Sequence, residues 1–346
     1  MILIKNTPKK LEYRMPAEWE RQEAVWISWP YNKETWPNNI SEVENSYLKL
    51  IKEVHTSEKV NILVNDKKIE SRAINKLNSC SIGFSKILFY RIKNVDAWIR
   101  DYGPIFLISN KKKLAMLKWN FNAWGNKYEE LKADDSVPYK INQKIRIPMF
   151  KPDIVFEGGS IDVNGSGLVL TTEQCLLNKN RNPGLNKKEI EYYLKEYLNA
   201  SKVLWLKKGI KGDDTDGHVD DVARFVNKNT IVCAYEDNKN DENHQILKEN
   251  YELLKKMTDE DGNKLKIAKI PMPAAVTYNG ERLPASYLNF YISNKAVLVP
   301  TFKHKNDKKA IKILQKLFPE RKIAGINCSV MVRGFGTLHC CTQQQP

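Results

Sequence analysis

Seven short β-rich runs are spread along the chain: "VNILV" (60–64), "KILFYRI" (86–92), "GLVLTT" (167–172), "KVLWL" (202–206), "TIVCAY" (230–235), "KAVLVPT" (295–301) and "KIAGI" (322–326). Helical patterns lie between several of them. In "NKKEIEYYLKEYLNA", Asn186 can cap, Glu189 stands three residues on, and Ile190, Tyr193, Leu194, Tyr197 and Leu198 fall on one face. In "DKKAIKILQKLFP", Ala310, Ile311, Leu314, Leu317 and Phe318 repeat the pattern and Pro319 ends it. Strand, helix and turn thus alternate from end to end, which predicts an α/β or α+β architecture rather than a helical bundle or a sandwich. No linker rich in Gly, Ser or Pro divides the sequence, so residues 1–346 are expected to form a single domain.

Composition narrows the class. The 42% of hydrophobic residues can supply a sizeable core. No apolar run approaches the roughly 18 residues of a spanning helix, and "MILIKNTPKKLEYRMPAEWE" lacks the long apolar stretch and cleavage site of a secretory signal. A cytoplasmic protein with no membrane partner is expected. The six cysteines (Cys80, Cys175, Cys233, Cys328, Cys340 and Cys341) lack the paired spacing of a disulfide framework and are expected to be mostly reduced. A net charge of +15 raises the question of a nucleic-acid partner. The lysines, however, are scattered among turns and amphipathic helices, so the charge reads as solvated surface and no nucleic acid is expected.

Four polar clusters interrupt the alternation: "NVDAWIRDYGP" (94–104), "VFEGGSIDVNGSG" (155–167), "GDDTDGHVDDVARF" (212–225) and the terminal "GTLHCC". Each places ionisable residues beside glycine or at a strand end, where loops carry chemistry on a rigid scaffold. Their spacing is regular. Asp96 to Glu157 is 61 residues, Glu157 to His218 is 61, and His218 to Cys340 is 122, twice that interval. Such a period suggests repeated modules, each giving one residue to a common centre.

Cys340, His218, Asp96, Glu157 and Asp220 together suggest covalent catalysis on a cation. A thiolate needs a lowered pKa or an adjacent base, and histidine commonly supplies either. Attack on the carbon of a guanidinium would expel ammonia and leave a thiouronium adduct for water to hydrolyse. Carboxylates match the paired N–H donors of the planar guanidinium and would fix its carbon for attack. Zinc is disfavoured, because adjacent His339, Cys340 and Cys341 cannot easily face one tetrahedral ion and no C-x-x-C or H-E-x-x-H spacing occurs. Serine-type catalysis lacks its G-x-S-x-G.

Structural roles compete for each residue. His218 can be a loop residue capped by its neighbours, and Asp96 and Glu157 ordinary turn or ion-pair residues, with Arg100 near Asp96 and Asp101 in sequence. Asp213, Asp214 and Asp216 read as turn caps. Cys341 would point away from Cys340 in an extended segment and pack in the core. Trp98, Trp119 and Trp124 read first as core, with one of them available to a cationic ligand.

The ordered combination "MPAEWERQEAVWISWP", "VDAWIRDYGP", "WNFNAWG", "FEGGSIDVNGSG", "LNKNRNPGL", "DGHVDDVARF", "LPASYLNFYI" and "HCCTQQQP" resembles the agmatine deiminases of the guanidine-modifying (pentein) superfamily. The resemblance runs from about residue 15 to the C-terminus. It implies a single catalytic domain folded as an α/β propeller of five pseudo-fivefold modules, with a central active site and neither cofactor nor metal. By motif match, Cys340 takes the nucleophile position and His218 that of the general acid/base. Glu157 would bind a guanidinium nitrogen and assist proton transfer. Asp96 and Asp220 would clamp the other nitrogens, with Trp98 beside them in the substrate site. A homo-oligomer is in keeping with the family.

The implied reaction is hydrolysis of agmatine to N-carbamoylputrescine and ammonia. Peptidyl or free arginine as substrate, amidino transfer to an amine, and a basic nucleic-acid-binding protein on an inactive enzyme fold are the alternatives. A free-arginine enzyme would need a cation for the substrate carboxylate, for which Arg100, Arg224 and Arg282 are candidates; Glu281 and Arg282 also stand where a tail pocket is expected. The family often has three glycines and an asparagine before its final His-Cys. Here "GFGTLHC" puts Phe335 and Thr337 in that stretch, which is expected to restrict the backbone near the nucleophile.

Overall fold

The computed structural model describes residues 2–346, and each of the seven β-rich runs forms a strand within a small sheet. One plan recurs. Ile161–Val163 runs antiparallel to Leu168–Thr172, the helix Lys187–Tyr197 follows, and Lys202–Leu206 returns parallel to Leu168–Thr172. Ala223–Asn227, Thr230–Tyr235, the helix Asn243–Leu254 and Lys266–Pro271 repeat it. So do Tyr291–Ile292, Ala296–Thr301, the helix Asn306–Leu317 and Lys322–Asn327. A fourth copy, Ile105–Ser109, Leu114–Leu117, the helix Val137–Ile145 and Pro148–Phe150, is widened by Tyr13–Arg14 and Ile2–Ile4 at its edges.

The fifth copy joins the two ends of the chain. Its first strand is the C-terminal Thr342–Gln345, antiparallel to Ala24–Ser28 with Thr342 opposite Ile27 and Gln345 opposite Ala24. The helix Ile40–Val54 leads to Lys59–Val64, and a further helix, Lys67–Ser79, to Ile87–Arg91, both strands parallel. Every residue of Ala24–Ser28 is buried, as expected of a strand covered on both faces.

Local rules and tertiary packing agree. At the helix Lys187–Tyr197, Asn186 accepts from the Lys188 and Glu189 amides while Glu189 accepts from the Asn186 amide at 2.7 Å, the capping box read from sequence. Ile190, Leu194 and Leu198 of its apolar face are buried. Among the described residues, no helix is long and apolar enough to cross a membrane.

The modules share one consequence for chemistry. The segment just before each module's first strand carries ionisable or amide side chains: Asp96 and Asp101 before Ile105, Glu157 before Ile161, His218 and Asp220 before Ala223, Asn289 before Tyr291, and Cys340 before Thr342. The contacts described next bring these five segments together.

Candidate active site

Asp96 and Trp98 precede the short helix Ile99–Tyr102. The Asp96 carboxylate accepts from Thr35 Oγ1 at 2.8 Å and from the Ala97 amide at 2.7 Å, and its backbone carbonyl accepts from Tyr102 Oη at 2.7 Å. Burial pushes its carboxyl up to about 6, against the opposing pull of Thr35, the Ala97 amide and Trp98. Asp134 fastens the segment from outside by accepting from the Val95 and Asp96 amides. Arg100 pairs with neither Asp96 nor Asp101. It donates to Gln344 Oε1 at 2.6 Å and to Glu18 Oε2 at 3.4 Å, because its side chain runs under the C-terminal strand.

Cys340 lies in the turn Leu338–Cys341, 8% exposed, and its carbonyl accepts from the Arg100 amide. Its sulfur receives the Asn289 side-chain amide at 3.1 Å and lies 4.0 Å from Asp220 Oδ2. Burial pushes the thiol pKa well above its ordinary value, and Asp220, Asp221 and Asp101 push it further. Cys341 is fully buried, with its sulfur 3.4 Å from the Leu338 carbonyl. The segment is a turn rather than extended, yet Cys341 still faces the core.

Asp220 accepts from Asn289 at 3.3 Å through Oδ2, which also lies 2.7 Å from His339 Nδ1; the other His339 nitrogen is 2.9 Å from Glu18. Oδ1 of Asp220 has no partner among the described residues. Burial raises the Asp220 pKa, but His339, His218 and Arg224 outweigh it and hold the carboxyl below its usual range. Arg224 is occupied by Asp162 at 2.9 Å and Glu18 at 3.2 Å, and Arg282 by Asp241 at 2.9 Å.

His218 lies between two carboxylates, with Nδ1 3.8 Å from Asp101 Oδ1 and Nε2 3.7 Å from Glu157 Oε2. Burial disfavours the imidazolium, yet Asp101, Cys175 and Glu157 raise its pKa well above the ordinary value. Glu157 is held by Arg181 Nε at 2.8 Å. Burial acts to raise its pKa, and Arg181 and His218 outweigh it, leaving the carboxyl below its ordinary range. Asp213 accepts from the Gly217 and His218 amides as a turn cap, and Asp216 pairs with Arg181 and Lys127. Asp214 departs from the expected turn-cap role: it accepts from Tyr128 Oη at 2.7 Å and lines the cavity.

Cys340, Asp96, Trp98 and Asp101 line a cavity of about 550 Å³, and Glu157, His218 and Asp220 lie behind that lining. Glu34, Glu130, Asp214 and Glu281 add carboxylates to the walls. Arg333 is the one cationic side chain of the lining among the described residues, and its guanidinium sits over the Tyr278 ring at 4.7 Å. Trp124 also lines the cavity, whereas Trp119 is packed against Phe156 in the core. Phe335 lines it from a left-handed backbone conformation, φ 66°, uncommon for a residue other than glycine.

The six residues singled out from sequence, Cys340, His218, Glu157, Asp96, Asp220 and Trp98, therefore share one centre. Asp101, Asn289, Cys175 and Arg181 belong to the same contact network and were not singled out. Asp101 and Asn289 lie inside quoted motifs, "VDAWIRDYGP" and "LPASYLNFYI", but a side-chain amide and a second nearby aspartate carry no distinctive sequence signal. Nor did sequence spacing reveal that Glu157, Cys175 and His218 place three ligand atoms within 4.8 Å of one another.

Residues 14–346 match the family model of the Porphyromonas-type peptidyl-arginine deiminases. The chain belongs to this family. A Legionella pneumophila (strain Paris) protein provisionally named as an agmatine deiminase is 37% identical over 345 residues, covering 99% of this chain and 98% of its own. The agmatine deiminase of Enterococcus faecalis is similar with a TM-score of 0.94 and 36% identity, covering 100% of this chain and 99% of that one. An agmatine deiminase of C. jejuni, solved with a cysteine-to-serine substitution and substrate bound, gives 0.87 and 36%, covering 96% of each chain. The deiminase fold of this family is the pentein propeller, and the five modules are its blades.

Proposed function

We propose that this family member is an agmatine deiminase, hydrolysing agmatine to N-carbamoylputrescine and ammonia. The observation that carries the choice is the charge of the cavity: six carboxylates line it against one arginine, which is already engaged by an aromatic ring. A ligand with a guanidinium at one end and an ammonium at the other suits such walls. The α-carboxylate of free arginine would meet repulsion, and Arg100, Arg224 and Arg282, the candidate cations, are committed to Glu18, Asp162 and Asp241. The similarity to agmatine deiminases at 36–37% identity over nearly the whole chain supports the same reading.

In this reading Asp96 and Asp220 bind guanidinium N–H groups, Asp220 through its unpartnered Oδ1, and Trp98 closes one side. The buried thiol of Cys340 rests protonated, held so in part by the surrounding carboxylates. An arriving cation reverses that balance, and the thiol proton leaves to solvent. A unit positive charge about 4 Å from sulfur is worth on the order of 4 kcal/mol at an effective dielectric of about 20, roughly a thousandfold in favour of the thiolate. The thiolate attacks the guanidinium carbon, and His218, protonated in its acidic surroundings, gives its proton to the departing nitrogen. The neutral imidazole then takes a proton from the water that hydrolyses the thiouronium, releasing the ureido product and restoring the thiol enzyme. Glu157, fixed by Arg181, holds a guanidinium nitrogen and the imidazolium in register.

The test is product formation from agmatine, free arginine and a peptidylarginine side by side, following ammonia and ureido product with Cys340→Ala as blank. Turnover confined to agmatine is expected. Preference for peptidylarginine would instead follow the family model's name and overturn the reading of the cavity walls. No turnover, with salt-sensitive retention on heparin, would favour the nucleic-acid alternative.

A further inference from the structure

Behind His218 lies a buried thiol that the deimination chemistry leaves unused. Cys175, in the short helix Glu173–Leu176, is fully buried, and its sulfur is 3.9 Å from Glu157 Oε2. His218 Nε2 approaches the same oxygen at 3.7 Å, and the three donor atoms lie within 4.8 Å of one another. His218 is 2% exposed, and its Nε2 has no hydrogen-bond partner among the described residues. Arg181 occupies Glu157 Oε1 and leaves Oε2 facing the thiol and the imidazole.

We propose that Cys175, His218 and Glu157 form an inhibitory site for a borderline divalent cation of the Zn²⁺ type. Tetrahedral zinc, with bonds of about 2.0 Å to nitrogen and oxygen and about 2.3 Å to sulfur, sets its donors roughly 3.3–3.6 Å apart. The sulfur–oxygen and nitrogen–oxygen separations here exceed that by about 0.4 Å, a contraction within the reach of side-chain rotation. Thiolate with imidazole and one carboxylate favours zinc-like ions over Mg²⁺ or Ca²⁺. Asp101, which lines the cavity and lies 3.8 Å from His218 Nδ1, marks the way in and supplies an outer partner for the ring.

Charge explains how an ion can be held so deep. Without it, Glu157 and Asp101 balance Arg181 and the imidazolium beside a neutral thiol. With it, the ion replaces the protons on Nε2 and Sγ, and Glu157, Asp101 and the Cys175 thiolate balance Arg181 and the two charges of the metal. Asp214 and Asp220, from the segment that carries His218, add attraction. Occupancy takes the Nε2 lone pair and the nitrogen can no longer carry a proton. The inhibition therefore rests on His218 as acid and base, whereas the binding does not.

Protein carrying Cys80→Ser and Cys340→Ala, which removes the exposed thiol and the nucleophile, is titrated with Co²⁺ alone. One equivalent should produce thiolate-to-metal charge-transfer absorption that Zn²⁺ displaces, and adding Cys175→Ser should abolish it and weaken Zn²⁺ binding by about 100-fold or more. In otherwise unaltered enzyme, Zn²⁺ should inhibit reversibly towards chelators, and Cys175→Ser should need about 100-fold more Zn²⁺ to lose half of its own activity. Absence of the thiolate band in the Cys80→Ser, Cys340→Ala protein overturns the site whether or not Cys175→Ser folds. Zn²⁺ inhibition undiminished by Cys175→Ser places the ion elsewhere and overturns it too. The band is read without turnover, so its failure is distinct from failure of the deiminase reading.

Discussion

Asn289 donates its side-chain amide to Cys340 Sγ at 3.1 Å while its Oδ1 accepts from Thr337 Oγ1 at 2.7 Å and from the His339 and Cys340 amides at 3.0 and 3.3 Å. One side chain thus fixes both the sulfur and the turn that carries it. Asn289→Ala frees the turn and takes their partner from the Cys340 amide and the Thr337 hydroxyl, while the His339 amide keeps the residue 289 carbonyl, at about 1–3 kcal/mol. A displacement of about 1 Å at the reacting atom costs on the order of 100-fold in rate. Asn289→Ala is expected to lower kcat by about 10–100-fold with a smaller change in KM. Steady-state kinetics showing both constants unchanged would remove the clamp from the mechanism.

Cys340 and Cys341 are adjacent but face different surroundings, one lining the cavity and the other sealed in the core. Cys340→Ala should reduce turnover by about 10⁴-fold or more, as loss of a covalent nucleophile does. Cys341→Ala should keep most of it and cost about 1 kcal/mol for the small void. Comparable activity losses in the two variants, once each is shown folded by near-UV circular dichroism, would contradict Cys340 as nucleophile.

The spacing of 61 residues was legible in sequence because three consecutive modules each give a residue from the segment before their first strand, although Asp96 stands nine residues ahead of Ile105, Glu157 four ahead of Ile161 and His218 five ahead of Ala223. Adding 61 to 218 lands ten residues short of Asn289, and the hairpin Thr277–Arg282 lies between His218 and Asn289. The extra segment hid the fourth module's contribution, while Cys340 fell back into step at twice the interval. The seven β-rich runs and the Asn186 capping box were legible for a local reason, since pattern and cap are written within a few residues. Pairing of Thr342–Gln345 with Ala24–Ser28 was not, because two segments over three hundred residues apart meet only through the closure of the ring. The same holds for Arg100. Its neighbours in sequence suggested Asp96 or Asp101, whereas ring closure brings Gln344 and Glu18 to it.

Burial, opposed by Thr35, the Ala97 amide and Trp98, raises the Asp96 carboxyl to about 6. Below that pH it is neutral and loses its attraction for a guanidinium, so kcat/KM should fall with acidity from about 6 downwards. Stability takes the opposite sign. The folded pKa exceeds the unfolded value of about 3.9, so the native state holds more protons between about 4 and about 6, and this contribution is lost as pH rises through that window. Asp96→Asn should therefore raise KM by about 10-fold or more and flatten part of the acid slope in denaturation midpoints. A kcat/KM profile level down to pH 5 in the unaltered enzyme would show that Asp96 need not be charged.

Gly336 is required by its neighbour rather than by its backbone. A Cβ there would stand 2.6 Å from Trp98 Cζ3 and 2.9 Å from Cε3, closer than carbon atoms pack. The indole cannot simply retreat, because Trp36 meets it edge-on at 5.4 Å and Trp36 is itself hydrogen-bonded to the Met331 carbonyl. Gly336→Ala should therefore shift Trp98 relative to Cys340 at an overpacking cost of about 1–3 kcal/mol. It is expected to lower kcat/KM for agmatine by about 10–100-fold, since the displaced ring misplaces the guanidinium against sulfur. Adding Trp98→Phe makes room for the new methyl and should recover part of the loss relative to Gly336→Ala alone. If Gly336→Ala keeps full kcat/KM, or if the second substitution only deepens the defect, the position of Trp98 does not set the geometry of attack.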